Sequence, residues 1–127
     1  MTRYLHTMLR TSDIDRTGPF LEALGFEKTR ESPIVREGQH EATNHFFALP
    51  GDAAELEITV NHDDRTYDLG TAYGHLAIGV SDLDGTLAEL AGKGLEPERP
   101  PYLVGTTRIC FVREPVEGYR FELIERT

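Results

Sequence analysis

Apolar and polar residues alternate along several short runs, and the alternation assigns each side chain to a face. In "RYLHTMLR" (3–10), Leu5, Thr7 and Leu9 share one side while Tyr4, His6, Met8 and Arg10 share the other, the two-residue period of a strand. "AELEITVN" (54–61) sets Leu56, Ile58 and Val60 against Glu55, Glu57, Thr59 and Asn61. In "YGHLAIGV" (73–80), Leu76, Ile78 and Val80 face a core, and His75 points away from them with Tyr73, Ala77 and Gly79. "YRFELIE" (119–125) places Glu122 with Arg120 and Ile124, opposite Phe121 and Leu123. Further strand-like runs occupy about 26–36, 44–50, 95–100 and 106–112, and one strand of the second half is short or indistinct. After each first strand comes Ser-Asp, whose side-chain oxygens suit a helix start, and then a helical stretch ended by Gly25 or Gly94. Pro19 conflicts with the first helix, because an interior proline lacks the N–H that the helix needs. The pattern therefore predicts a restart near Thr17 with Pro19 in the first turn.

The two halves repeat each other. "HTMLRTSDIDRTGPFLEALGFE" from His6 and "HLAIGVSDLDGTLAELAGKGLE" from His75 align without a gap, and the identities include Ser12/Ser81, Asp13/Asp82, Asp15/Asp84, Thr17/Thr86, Leu21/Leu90 and Gly25/Gly94. Each copy reads strand, helix, then three strands. The predicted fold class is α+β: two βαβββ modules forming a curved mixed sheet around a cleft. All of residues 1–127 make a single domain, with module one at about 1–62, a polar linker at about 63–72 and module two at about 73–127.

Composition narrows the function. A formal net charge of −9 argues against non-specific nucleic-acid binding, which needs clustered Lys and Arg. It also means that an anionic substrate requires local basic anchors. No apolar run is long enough to span a membrane, and "MTRYLHTMLR" lacks the apolar stretch of a secretory signal. The lone cysteine, Cys110 in "TRICFV", excludes an internal disulfide framework and reads as a buried strand residue. Together these features predict a cytoplasmic protein with no nucleic-acid and no membrane partner. No phosphate-binding glycine loop is present. His40 and His45 fall in or near a polar loop and are expected at the surface.

Each module thus carries a histidine on its first strand and a glutamate on its last: His6 with Glu57, and His75 with Glu122. Taken singly, either histidine reads as a core imidazole satisfied by backbone, and either glutamate as part of a solvated strand face. Taken together, two imidazoles and two carboxylates at equivalent places in a repeat are a plausible metal set. Spacing alone leaves both readings open.

The motifs "LHTMLR", "ELEITVN", "LGTAYGHLAIGV", "GTT" and "GYRFELIE" occur in order over most of the chain, and in them the sequence resembles the glyoxalase I family, the lactoylglutathione lyases of the vicinal oxygen chelate superfamily. The resemblance implies the paired βαβββ fold and a homodimer with active sites at the subunit interface. It implies His6 and Glu57 from one chain and His75 and Glu122 from the other as ligands of a divalent metal, with Glu122 as catalytic base and Glu57 as its partner. The implied reaction converts the hemithioacetal of methylglyoxal and glutathione to S-lactoylglutathione through an enediolate. Arg10 and Asn61 match positions that hold the γ-glutamyl part of glutathione. A two-nitrogen, two-carboxylate set completed by water is octahedral, whereas zinc is more often tetrahedral, and the short chain resembles the nickel- or cobalt-activated bacterial members. The resemblance therefore implies nickel or cobalt, with zinc as an alternative.

The chain departs from the family pattern at "NH" (61–62) in place of an aromatic after the asparagine. It departs also at "PPYLVGTT", which has no lysine, and at the longer turn "EPVEGY". These departures leave the thiol and the α-oxoaldehyde open. Rival readings are another metal-dependent enzyme of the superfamily (an epimerase, a thiol transferase or a dioxygenase) and a metal-free dimer that binds a drug.

Overall fold

The structure is a computed structural model that describes residues 1–126. Its contacts divide the chain into two units, Met1–Asp68 and a second beginning at Leu69. The first unit contains β1 (His6–Arg10), α1 (Ile14–Ala23), β2 (Glu27–Arg36), β3 (Gln39–Ala48) and β4 (Glu55–Asn61). The second contains β5 (Leu76–Val80), α2 (Leu83–Gly92), β6 (Tyr102–Val104), β7 (Thr107–Arg113) and β8 (Arg120–Glu125). Each unit is therefore βαβββ, and each forms a four-stranded mixed sheet in the same order: β1-β4-β3-β2 and β5-β8-β7-β6. The first strand pairs parallel with the last, and the remaining pairings are antiparallel.

One face of each sheet carries the helix and the core. Leu56, Ile58 and Phe47 lie with Phe20, Leu21 and Leu24 among the buried residues of the first unit. Ile78, Val80, Cys110, Val112, Phe121 and Leu123 do the same with Leu83 and Leu90 in the second. Burying such side chains contributes about 1.5–3 kcal/mol each, which is what holds a ten-residue helix in place. Both helices begin on a capping aspartate: Asp13 accepts from the Asp15 N–H, and Asp82 from the Gly85 N–H. Both end with a glycine at positive φ, Gly25 at 109° and Gly94 at 78°, whose N–H turns back to Glu22 or Ala91.

Three sequence expectations change here. Helix α1 does not restart at Thr17; it runs through Pro19. The bond that Pro19 cannot donate is the one to the Asp15 carbonyl, and both residues are exposed, so water can replace it. No strand occupies 95–100, and the short second strand of this unit is the three-residue β6 further on. His45 is not at the surface. It lies in β3 opposite Ile58, on the helix-bearing face, and is 8% exposed. His40 is exposed, as expected, although it too belongs to β3.

Candidate functional site

The other face of each sheet holds the candidate chemistry. In the first unit the parallel register sets Met8 opposite Glu57, so His6 stands two residues earlier on the same side of β1. In the second unit Ala77 is opposite Glu122, and His75 stands two residues earlier, just before β5 begins. The two arrangements are equivalent, and so are the resulting contacts. His6 Nε2 lies 2.9 Å from Glu57 Oε2, and His75 Nε2 lies 3.1 Å from Glu122 Oε1.

The imidazoles are open and the carboxylates deeper. Side-chain exposure is 43% for His6 and 37% for His75, against 12% for Glu57 and 18% for Glu122. A carboxylate that deep is kept because it has a partner. Each pair also fits a metal ion: two donors about 2.1 Å from one ion, at right angles, are about 3 Å apart. Each unit supplies one nitrogen and one carboxylate, and no group of three or more His, Cys, Asp or Glu able to hold a metal occurs among the described residues.

Around each pair lies an aromatic support that the sequence reading missed. Phe46 is opposite Glu57 and meets the His6 ring edge-on, with centroids 6.2 Å apart and planes at 86°. Phe111 is opposite Glu122 and meets His75 at 5.1 Å and 84°. A guanidinium covers each phenyl ring, Arg30 at 3.6 Å from the Phe46 centroid and Arg120 at 3.7 Å from that of Phe111. Glutamates fix these arginines in turn. Arg30 donates to Glu55 (3.0 Å), and Arg120 donates through Nε and Nη2 to Glu98 (2.9 Å). Hydrogen bonds from Thr29 and Arg30 lower the pKa of Glu55, and that from Arg120 lowers Glu98's. A signal for this support existed. Phe46 to Phe111 and Glu57 to Glu122 are both shifts of 65 residues, so a repeat alignment carried into the last strands pairs them.

Arg10 and Asn61 are brought together at the far end of the β1–β4 pair. Arg10 Nε donates to Asn61 Oδ1 at 3.2 Å, and the Tyr67 hydroxyl reaches the same oxygen at 3.3 Å. Cys110 is buried, with its Sγ 3.4 Å from the Arg99 carbonyl oxygen, and burial raises its pKa. It takes no place among these groups.

Two βαβββ units, each setting a histidine at or just before its first strand beside a glutamate of its last, match the arrangement of a vicinal oxygen chelate protein. A sequence profile described as the Glyoxalase/Bleomycin resistance protein/Dioxygenase superfamily matches residues 3–123. The chain is 39% identical over 131 residues to a probable lactoylglutathione lyase of Vibrio parahaemolyticus, covering 97% of this chain and 90% of that one. It is 39% identical over 128 residues to the lactoylglutathione lyase of Haemophilus influenzae, covering 95% and 90%. The crystal structure of glyoxalase I from Zea mays superposes with a TM-score of 0.84 at 34% identity, over 98% of this chain and 45% of the longer maize chain. The chain belongs to the glyoxalase I family.

Proposed function

We propose that the chain is a lactoylglutathione lyase, a methylglyoxal-detoxifying enzyme that isomerises the hemithioacetal of methylglyoxal and glutathione to S-lactoylglutathione. The observation that carries the mechanism is the equivalent placement of His6–Glu57 and His75–Glu122 on the two units. In this reading His6 and Glu57 of one chain and His75 and Glu122 of a second chain hold one divalent metal, so a homodimer contains two such sites. Two nitrogens and two carboxylates suit nickel or cobalt in octahedral coordination, with zinc the alternative. The ion, when bound, supplies positive charge against the negative charge that develops on the substrate's two adjacent oxygens.

The remaining work falls to side chains. Glu122 takes the proton from the sulfur-bearing carbon and returns it to the neighbouring carbon. A proton moves from the hydroxyl of the first carbon to the former carbonyl oxygen of the second. The product is a thioester with a hydroxyl on the next carbon, and no atom is gained or lost. Glu57, on the equivalent strand of the other module, is the partner carboxylate. Phe46 and Phe111 fix the imidazole planes and keep water from one side of each pair. Arg10 and Asn61, already hydrogen-bonded to each other, hold the γ-glutamyl end of the thiol. The buried single thiol suits the reducing cytoplasm in which we place the enzyme. Glu57 also separates this reading from three-ligand enzymes of the superfamily, since a paired carboxylate with 12% side-chain exposure is not part of a solvated strand face.

The test is metal add-back. Protein stripped with a chelator is assayed for thioester formation from methylglyoxal and glutathione with nickel, cobalt, zinc or no metal. Activity is expected only with metal, and Glu122→Gln is expected to lose about 10²–10⁴-fold in turnover with its thermal midpoint preserved. No thioester with any metal would overturn the lyase assignment with glutathione as thiol. Metal-independent activity would overturn the metal's role, and a Glu122→Gln enzyme with near wild-type rate would remove Glu122 from the mechanism.

A further inference from the structure

His40 and His62 meet on the first unit although they are far apart in sequence. Their ring centroids are 4.5 Å apart, and both Nε2 atoms approach one oxygen, the Thr43 hydroxyl, at 3.1 Å from His40 and 2.8 Å from His62. Two backbone features produce this convergence. The β2–β3 ladder pairs Ile34 with Ala42 and then Val35 with His40, so Glu41 is an extra residue. A bulge of that kind re-aims the side chain beside it, here turning His40 toward Thr43. Across the sheet, the His62 N–H donates to the Glu41 carbonyl at 2.7 Å and fixes the end of β4 against the bulge.

A hydroxyl has one proton to give. Thr43 can donate to one imidazole Nε2 and must accept from the other, so with both rings neutral one Nε2 carries a lone pair and the other a hydrogen. Both contacts are exposed to solvent, and replacing them costs only about 1 kcal/mol each. Carboxylates nearby in sequence are drawn to arginines: Glu41 lies 3.6 Å from Arg36, and Asp63 pairs with Arg65 at 2.7 Å. What converges is therefore nitrogen.

We propose that His40 and His62 form a binding site for a divalent transition-metal ion, with two imidazole nitrogens as its protein ligands and water completing its coordination. Imidazole suits zinc, nickel and copper, whereas magnesium and calcium prefer oxygen. The site is separate from the His6–Glu57 and His75–Glu122 pairs and does not depend on the lyase assignment. With two ligands it is the weaker site, so it fills after the four-donor one.

The experiment is equilibrium dialysis of the chelator-stripped full chain against zinc, with a copper titration followed by NMR of the histidine ring protons. Wild type is expected to bind two ions per chain, the His6→Ala/His75→Ala variant to retain the weaker one, and His62→Ala to retain only the tighter one. Copper is expected to broaden the His40 and His62 ring signals in wild type even where a variant does not fold. If the His6–Glu57 and His75–Glu122 pairs hold no metal, one ion would remain, removed by His62→Ala; failure of the lyase activity alone would leave both ions bound. Failure of the present proposal would leave one ion, removed by His6→Ala, with the His40 and His62 signals untouched.

Discussion

His45 shows how one side chain ties local placement to a measurable pH dependence. It sits on the core face of β3, its Nδ1 has no hydrogen-bond partner among the described residues, and Glu31 Oε1 is 3.4 Å away without bonding alignment. Burial, and then the positive charge of Lys28, push its pKa below the usual histidine value, while Glu31 and Asp15 oppose the shift. In the folded chain His45 thus takes a proton only at a pH lower than it does in the unfolded chain. Between those two values the unfolded state binds more protons, so stability rises with pH across that interval. The contribution is complete above about pH 6.5 and is lost as pH falls toward the folded value. Thermal midpoints measured from pH 7.5 to 5 should fall more steeply for wild type than for His45→Phe, which removes the titrating group and keeps an apolar ring. Parallel curves would show that His45 does not titrate differently in the two states.

At the scale of elements, the turn before β8 shows how a longer loop is kept rigid. Glu114 is 2% exposed, and its carboxylate accepts from the N–H groups of Val116 (2.9 Å), Glu117 (2.7 Å) and Gly118 (3.2 Å). Gly118 then takes φ of 87°, which a side chain would resist, and the chain enters β8, where Glu122 lies. Glu114→Ala leaves those half-buried donors without their acceptor and is expected to cost about 1–3 kcal/mol in denaturant unfolding, with Glu114→Gln costing less. An unchanged midpoint for the alanine variant would mean that the turn holds itself. The same elements show what was legible in the sequence. "RYLHTMLR", "AELEITVN" and "YRFELIE" alternate cleanly because one sheet face lies under a helix and the other does not, so the sides taken by His6, Glu57 and Glu122 could be read directly. "NHFFALP" could not, since His45, Phe46 and Phe47 are all buried and the period disappears. Pro19 misled for a different reason: a proline on the exposed side of a helix forfeits only a bond that water replaces. The β6 hairpin was misplaced because three residues are too few to show a period.

At the scale of the whole molecule, the two His–Glu pairs make a prediction that separates a site shared between chains from one built within a chain. If His6 and Glu57 act with His75 and Glu122 of a partner chain, each variant alone should be inactive: a His6→Ala dimer and a His75→Ala dimer both have a damaged pair in every site. Mixed and allowed to exchange subunits, they form heterodimers in which one site collects both damaged pairs and the other collects both intact ones. Half of all dimers are then mixed, each with one working site, so turnover should recover to roughly a quarter of wild type. Within a single chain no such rescue is possible, because every chain in the mixture carries one of the two substitutions. The measurement is thioester formation in the metal-loaded mixture before and after exchange, with sedimentation reporting whether the chains are paired. Recovery establishes that neighbouring chains share the site. Two folded, exchanging variants that stay inactive would rule out a site shared in this way.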